Sequence, residues 1–242
     1  MKIKKINVHL TEQEIAERIA QMGAQISEEY GDEPVCLICI LKGSIFFTCE
    51  LAKRITSPVE LEFMSVSSYG SDTKSSGVVK IMKDLDTSIE GKNVIVVEDI
   101  IDSGRTLSYL LENLQTRKPK TLRLCTLLDK PDRRVKDVKV DYVGFEIPDE
   151  FVVGYGLDYD EKFRNLPFIG ILKPEVYGIE NAKGIKSAVI TCNHVNKFDC
   201  LALQHAFRKQ KRKIYTVAAP FNNMKGAFGE GMRAGGMLPL SD

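Results

Sequence analysis

"VIVVEDIIDSGRTLSYLLENL", Val94–Leu114, sets an apolar run against a block of opposing charge requirements. The run "NVIVVED" has the length and β-branched content of a strand buried on both faces, and Thr106 to about Gln115 has the spacing of an amphipathic helix. Between them lie three carboxylates, Glu98, Asp99 and Asp102, followed at once by Ser103-Gly104-Arg105-Thr106. A glycine there lets successive N–H groups converge on an anion, and the helix behind it aims its positive end at the same point. A strand, a tight polar turn and a helix make one half of a βαβ unit, and this order decides the fold class.

The neighbouring segments repeat that order. Thr11 to Tyr30 reads as an amphipathic helix opened by a capping box, Thr11 with Glu14. "PVCLICIL" is a continuous apolar run bounded by Pro34 and Gly43, and "GSIFFTCELAKRI" after it is helical in period. "VELEFMSVSS", "VVKIMKDL", "TLRLCTLLD" and "VDYVGFEI" are further strands, and "YGSDTKSSG" is a polar loop. This alternation predicts an α/β domain with a mainly parallel, twisted sheet flanked by helices. Ligands of such sheets bind beyond the carboxyl ends of the strands, where the Asp-Ser-Gly-Arg-Thr turn falls. A second, short α/β unit begins near Gly178, leaving roughly 60 residues, marginal for an independent core.

Composition narrows the function. The chain has 242 residues and a formal net charge of +1, with 34 basic against 33 acidic residues, which is a poor match to a general nucleic-acid or membrane-surface binder. No apolar run reaches the length of a membrane span and the start turns polar too soon for a signal peptide, so a cytoplasmic protein is expected. Cys36 and Cys39 have CxxC spacing, but positions i and i+3 of a strand face opposite ways, so they are expected as separate core thiols.

Two adjacent charges at the end of a buried strand are costly unless a partner brings hydrogen-bond donors or a cation. A sugar phosphate meets the whole segment: its hydroxyls donate to Glu98 and Asp99 while its phosphate sits on Ser103 to Thr106.

The segment resembles the phosphoribosyl-pyrophosphate signature of the type I phosphoribosyltransferases. Residues 1 to about 177 resemble the hypoxanthine-guanine branch throughout, in "LKGSIFF", "SSYGSDTKSSG", "LLDKPDRR" and "VGFEIPDEFVVGYGLDYDEKFRNLPFIGIL". The resemblance implies a small hood over the sheet and a purine salvage enzyme converting hypoxanthine and guanine, with phosphoribosyl pyrophosphate, to their 5′-monophosphates. It puts the ribose hydroxyls on Glu98 and Asp99 and the 5′-phosphate on Asp102 to Thr106. Pyrophosphate goes to Leu41-Lys42-Gly43, through a non-proline cis peptide, and to Arg164. Asp158 becomes the Mg²⁺ ligand, with Glu98 and Asp99 reached through the ribose hydroxyls. Lys130, Phe151 and Val152 form the base pocket, Asp102 is the general base or acid, and a lid carries Ser68 and Tyr69. Partners implied are purine bases, phosphoribosyl pyrophosphate and further copies of the chain in a homodimer or homotetramer, without nucleic acid.

The tail differs. Asn193-His194, four residues and Asp199 form the NHxxxxD pattern of glycerolipid acyltransferases, and "FGEGMRAGGMLPLSD" resembles that family's next block. The block after it is absent, so residues 178–242 read as a truncated acyltransferase-like segment. Two alternatives remain: a regulator that binds phosphoribosyl pyrophosphate and nucleic acid on the same fold, and a bifunctional protein with acyl transfer at His194.

Overall fold

The computed structural model describes residues 6–68 and 79–172, together with the backbone of two short strands further on. Tyr69, His194 and Asp199 lie outside the described residues. The chain divides into two compact units, Ile6–Leu172 and Met1–Lys5 with Lys173–Asp242.

The first unit is built on a six-stranded sheet. Its strands are β2 (Val35–Leu41), β3 (Val59–Ser68), β4 (Val79–Lys83), β5 (Asn93–Ile101), β6 (Thr121–Asp129) and β7 (Tyr142–Glu146). Their order is β4-β3-β2-β5-β6-β7, parallel throughout except for the antiparallel edge pair β3/β4. The apolar run at β2 is buried along almost its whole length, as a strand covered on both faces must be.

The covering layers follow from helix periodicity. Helix α1 (Glu12–Tyr30) buries Ile15, Ile19, Met22, Ile26 and Tyr30, one stripe of a 3.6-residue repeat, and Thr11 and Glu14 form the capping box expected at its start. Helix α2 (Ile45–Ala52) adds Phe47 and Leu51 to the same core. Helix α3 (Arg105–Gln115) inserts Leu107, Leu110 and Leu114 into a second core with Ile38, Ile40, Val94 and Val96. Cys36 joins this second core, whereas the Cys39 Sγ lies 3.3 Å from the Ser44 Oγ, so the CxxC pair is divided between environments. Desolvation raises both thiols above their ordinary pKa, Cys36 to about 11, as for inert core cysteines.

These layers create an opening between β2 and β5. From β2 the chain crosses through α2 to β3, while from β5 it crosses through α3 to β6 in the opposite direction, which makes the β2/β5 boundary a topological switch point. Pairing of β5 with β2 stops at Val97↔Cys39, whereas pairing with β6 continues to Ile101↔Asp129. Glu98 and Asp99 thus lie inside a strand that runs two residues past them, where it is paired with β6 and no longer with β2.

A three-stranded antiparallel hood, β1 (Ile6–Leu10), β9 (Ile169–Leu172) and β8 (Val152–Val153), joins the two ends of the unit. Neither β1 nor its pairing with β9 is indicated by the sequence pattern, because five residues carry little periodicity and the partner lies some 160 residues on. In the second unit β10 (Thr216–Ala218) pairs in parallel with β11 (Met237–Pro239).

Close backbone approach holds the opening in shape. A Cβ on Gly43 would lie 1.6 Å from the Asp99 Oδ2, and one on Gly156, which has φ +101°, would lie 1.8 Å from the Gly43 oxygen. Gly91 has φ +73° but open space around its Cα. Gly156→Ala is therefore expected to destabilise the protein by more than about 1 kcal/mol, and by more than Gly91→Ala, in urea unfolding. Equal losses would show that backbone conformation alone, and not the contact with Gly43, constrains Gly156.

Candidate active site

A cavity of about 260 Å³ opens at the switch point, lined among others by Leu41, Gly43, Glu98, Asp99, Asp102 and Ser103. A larger groove of about 580 Å³ lies between α3 and the segment before β7. The smaller cavity is the one with convergent chemistry.

One wall is an anion nest. Gly104 caps α3 in the left-handed region (φ 76°), and a Cβ there would come within 2.7 Å of the Lys136 oxygen. The first hydrogen bond from the helix back to the turn runs from Ser108 N–H to the Gly104 oxygen at 2.9 Å. Among the described residues, the N–H groups of Ser103 to Thr106 make no backbone hydrogen bond, which leaves four adjacent donors at a helix N-terminus.

The facing wall is acidic and poorly solvated. Desolvation, with the neighbouring Asp99 adding to it, pushes the Glu98 carboxyl well above its ordinary value, and the Glu98 Oε2 is buried with no hydrogen-bond partner among the described residues. Burial pushes Asp99 up to about 6, against the opposing hydrogen bond from the Ile100 N–H (2.7 Å) and the charge of Arg164. A buried carboxylate oxygen and four adjacent N–H donors thus line one cavity with hydrogen-bonding capacity that the described residues do not use.

At the pyrophosphate end implied by the resemblance, the Leu41-Lys42 peptide is cis. The Lys42 Nζ lies 3.1 Å from the Glu161 carboxylate. Arg164 donates from Nη1 to the Gly156 oxygen (2.7 Å) and pairs through Nη2 with Asp158 (2.7 Å). Asp158 also accepts from the Glu161 N–H at 2.8 Å. The oxygens of Asp158, with Asp99 close enough to feel its charge, are the hard donors that suit Mg²⁺, and the orphaned Glu98 oxygen fits an adjacent hydroxyl or cation.

The residues that the resemblance assigns to the base lie on loops after β6 and β7. Lys130 is buried, its Nζ donates to the Glu150 oxygen (2.7 Å) and lies 3.8 Å from Asp149, and desolvation pulls its ammonium below a lysine's usual range. Phe151 meets Tyr159 edge-on with ring centroids 5.8 Å apart, and Val152 is buried at the start of β8. Asp102 accepts from the Arg133 Nε at 2.9 Å. Ser68 closes β3, and the rest of the expected lid falls in residues 69–78, outside those described.

The family model for the phosphoribosyl transferase domain matches residues 9–160. The chain is 55% identical over 170 residues to the hypoxanthine-guanine phosphoribosyltransferase of Bacillus subtilis, covering 70% of this chain and 94% of the relative. This chain belongs to the phosphoribosyltransferase family, in its hypoxanthine-guanine branch. The corresponding protein of Mycobacterium avium is 54% identical over 177 residues, 71% of this chain and 87% of that one. Among solved structures, a hypoxanthine phosphoribosyltransferase of Staphylococcus aureus matches with TM-score 0.68 at 52% identity, over 71% of this chain and 93% of its own. That of Trypanosoma cruzi, solved in complex with the product IMP, matches with TM-score 0.67 at 42% identity, over 73% and 98%. An acyltransferase family model matches residues 173–241 of this phosphoribosyltransferase.

Sequence reading did not single out Glu161, Gly156 or Arg133. Glu161 and Arg133 read as solvated charges until their partners are known, and the close approach that requires Gly156 comes from a residue more than 100 positions away.

The raised Asp99 value has a sign that can be tested. Its folded pKa of about 6 exceeds the unfolded value near 3.9. The ionised carboxylate therefore disfavours the folded state above pH 6, and the penalty disappears below about pH 4. Because Asp99 keeps partial exposure, the penalty is expected to be ~1–2 kcal/mol. Asp99→Asn should be more stable than the parent by that amount at pH 7.5 in urea titrations, with the gap closing at pH 4. A gap that is the same at both pH values would show that the carboxylate's charge is not its source.

Proposed function

We propose that this phosphoribosyltransferase converts hypoxanthine and guanine, with 5-phosphoribosyl 1-diphosphate, to IMP and GMP with release of pyrophosphate. The observation that carries the reading is the single cavity in which unused N–H donors face a partnerless buried carboxylate. The relatives named hypoxanthine-guanine phosphoribosyltransferase support the choice of bases.

In the reaction the C1–N9 bond forms as the bond from C1 to the pyrophosphate oxygen breaks. Glu98 and Asp99 accept hydrogen bonds from the ribose hydroxyls and stabilise the positive charge that develops on the sugar. Ser103 to Thr106 hold the 5′-phosphate through N–H and hydroxyl donors. Asp102 takes the proton of the base through N7. Lys130 donates to the 6-oxo group, Phe151 stacks on the purine and Val152 lines the pocket edge. The backbone of Leu41-Lys42-Gly43 and the Arg164 guanidinium receive the pyrophosphate, and Ser68 and Tyr69 belong to a segment that excludes water. Mg²⁺, held by Asp158 and reached by Glu98 and Asp99 through the ribose hydroxyls, would supply charge neutralisation on the leaving pyrophosphate.

For the rest of the chain we propose a phosphoribosyltransferase domain over residues 1–177 and an acyltransferase-like segment over 178–242. The acyltransferase match from residue 173 and the division after Leu172 support two parts. No described helix is long and apolar enough to cross a membrane. We place the enzyme in the cytoplasm, as a homodimer or homotetramer. The regulator reading is not favoured, since the base-side residues are all present, and no observation favours acyl transfer at His194.

Purified protein with Mg²⁺ and phosphoribosyl pyrophosphate is expected to release pyrophosphate with hypoxanthine and guanine but not adenine; release with none of them would overturn the reading. Lys130→Gln should lose discrimination against adenine, because the mismatch between an ammonium and a 6-amino group disappears. Asp102→Asn should lower kcat by roughly 100- to 10,000-fold.

A further inference from the structure

Arg133 is the last residue of a short 3-10 turn, Pro131–Arg133, that follows Lys130 directly. Its Nε donates to the Asp102 Oδ1 at 2.9 Å, and its Nη1 lies 3.3 and 3.4 Å from the two oxygens of Asp149. One guanidinium thus ties together the loop after β5, the turn after β6 and the loop after β7. Asp149 and the next residue are also the partners of Lys130, whose Nζ is 3.8 Å from Asp149 and 2.7 Å from the Glu150 oxygen.

The turn that presents Arg133 is fixed to the loop that presents Asp102. The Lys130 N–H donates to the Ile101 oxygen at 3.0 Å, and the Val135 and Lys136 N–H groups both donate to the Ser103 oxygen at 3.0 Å. Arg133 therefore sits between anchors that bracket Asp102 on both sides. Among the described residues the second oxygen of Asp102, Oδ2, accepts no hydrogen bond.

We propose that Arg133 is the positioning residue of Asp102, holding Oδ1 so that Oδ2 meets the purine proton, and bracing the Asp149–Glu150 rim against which Lys130 is set. The inference rests on the assignment of Asp102 as the proton acceptor made above. A carboxylate on a loop has several rotamers, and proton transfer needs one of them; a base oriented by a third group is the general solution. Arginine suits the task because its planar fork engages two carboxylates at a fixed angle, and a lysine ammonium does not. Stability is a weak competing explanation. Both Arg133 and Asp102 are nearly half exposed, and ion pairs of that kind add little to folding.

The experiment is a double-mutant cycle on the full chain, read as initial rates with hypoxanthine, Mg²⁺ and phosphoribosyl pyrophosphate. Arg133→Gln is expected to lower kcat by roughly 10- to 100-fold, a part of the general-base contribution, with KM for phosphoribosyl pyrophosphate changed by less than about two-fold. Arg133→Lys, which keeps the charge without the fork, should fall between Arg133→Gln and the parent. In the Asp102→Asn background Arg133→Gln should have no further effect, because residues that act as one unit are not additive. The same loss in both backgrounds would assign Arg133 a structural role and overturn the inference, as would an Arg133→Gln enzyme with parental kcat. Failure of the underlying assignment is separate: the Asp102→Asn enzyme would then keep full activity, and the inference would fall with it.

Discussion

Two neighbouring carboxylates, Glu98 and Asp99, are placed where water reaches them poorly, on the stretch of a central strand that has lost its β2 partner, and much of the surrounding geometry follows from that placement. Burial drives both towards protonation, with the neighbouring carboxylates Asp99 and Asp158 adding to it for Glu98 and Asp99 respectively. A sheet selected for stability would put apolar residues there, as it does at Val94 to Val97 immediately before. Retaining two acids at positions 98 and 99 makes sense when a ligand restores what folding removes: hydroxyl donors on one side and developing positive charge on the other. The cost to the free protein and the gain in the transition state arise from the same low-dielectric surroundings.

The fold supplies those surroundings through strand order. The chain leaves β2 towards β3 and leaves β5 towards β6, and pairing between the two strands ends at Cys39 and Val97. Gly43 and Gly156 let the walls approach to backbone contact, so the acids are enclosed without side chains filling the space. Gly104 does the same for the phosphate turn by passing under Lys136. Gly43 and Gly104 thus line the cavity from two separate loops, and Gly156, from a third, packs directly on the Gly43 backbone.

Local pattern made much of this legible and long-range contact made the rest illegible. The strands at Val59–Ser68 and Thr121–Asp129 coincide with their apolar segments, and the Thr11/Glu14 box marks the start of α1, because these signals are contained within a few residues. The acid–phosphate turn was legible for the same reason, since its contradiction lies within nine positions. Helix α3 starts one residue earlier than its periodicity suggests, at Arg105, because the left-handed Gly104 is its cap. The hood strand β1 and the roles of Arg133 and Glu161 depend on partners 16 to more than 100 residues away, and no local spacing encodes those. Lys42 shows the limit well: read as a lysine contributing through its backbone, it also has a side chain engaged by Glu161.

Charge at the end proposed to receive pyrophosphate is balanced within the protein. Lys42 is matched by Glu161, and Arg164 by Asp158 with Glu161 at 3.6 Å, so two cations already face two carboxylates. A polyanion entering alone would meet no net positive field there, and would have to separate ion pairs whose carboxylates then repel it. Under the proposed function, a divalent cation entering with it would offer the Asp158 carboxylate a new partner and would leave the Arg164 guanidinium for the phosphate oxygens. On the proposed reading, then, the requirement for a metal follows from the protein's own charge pairing as much as from the chemistry of the leaving group.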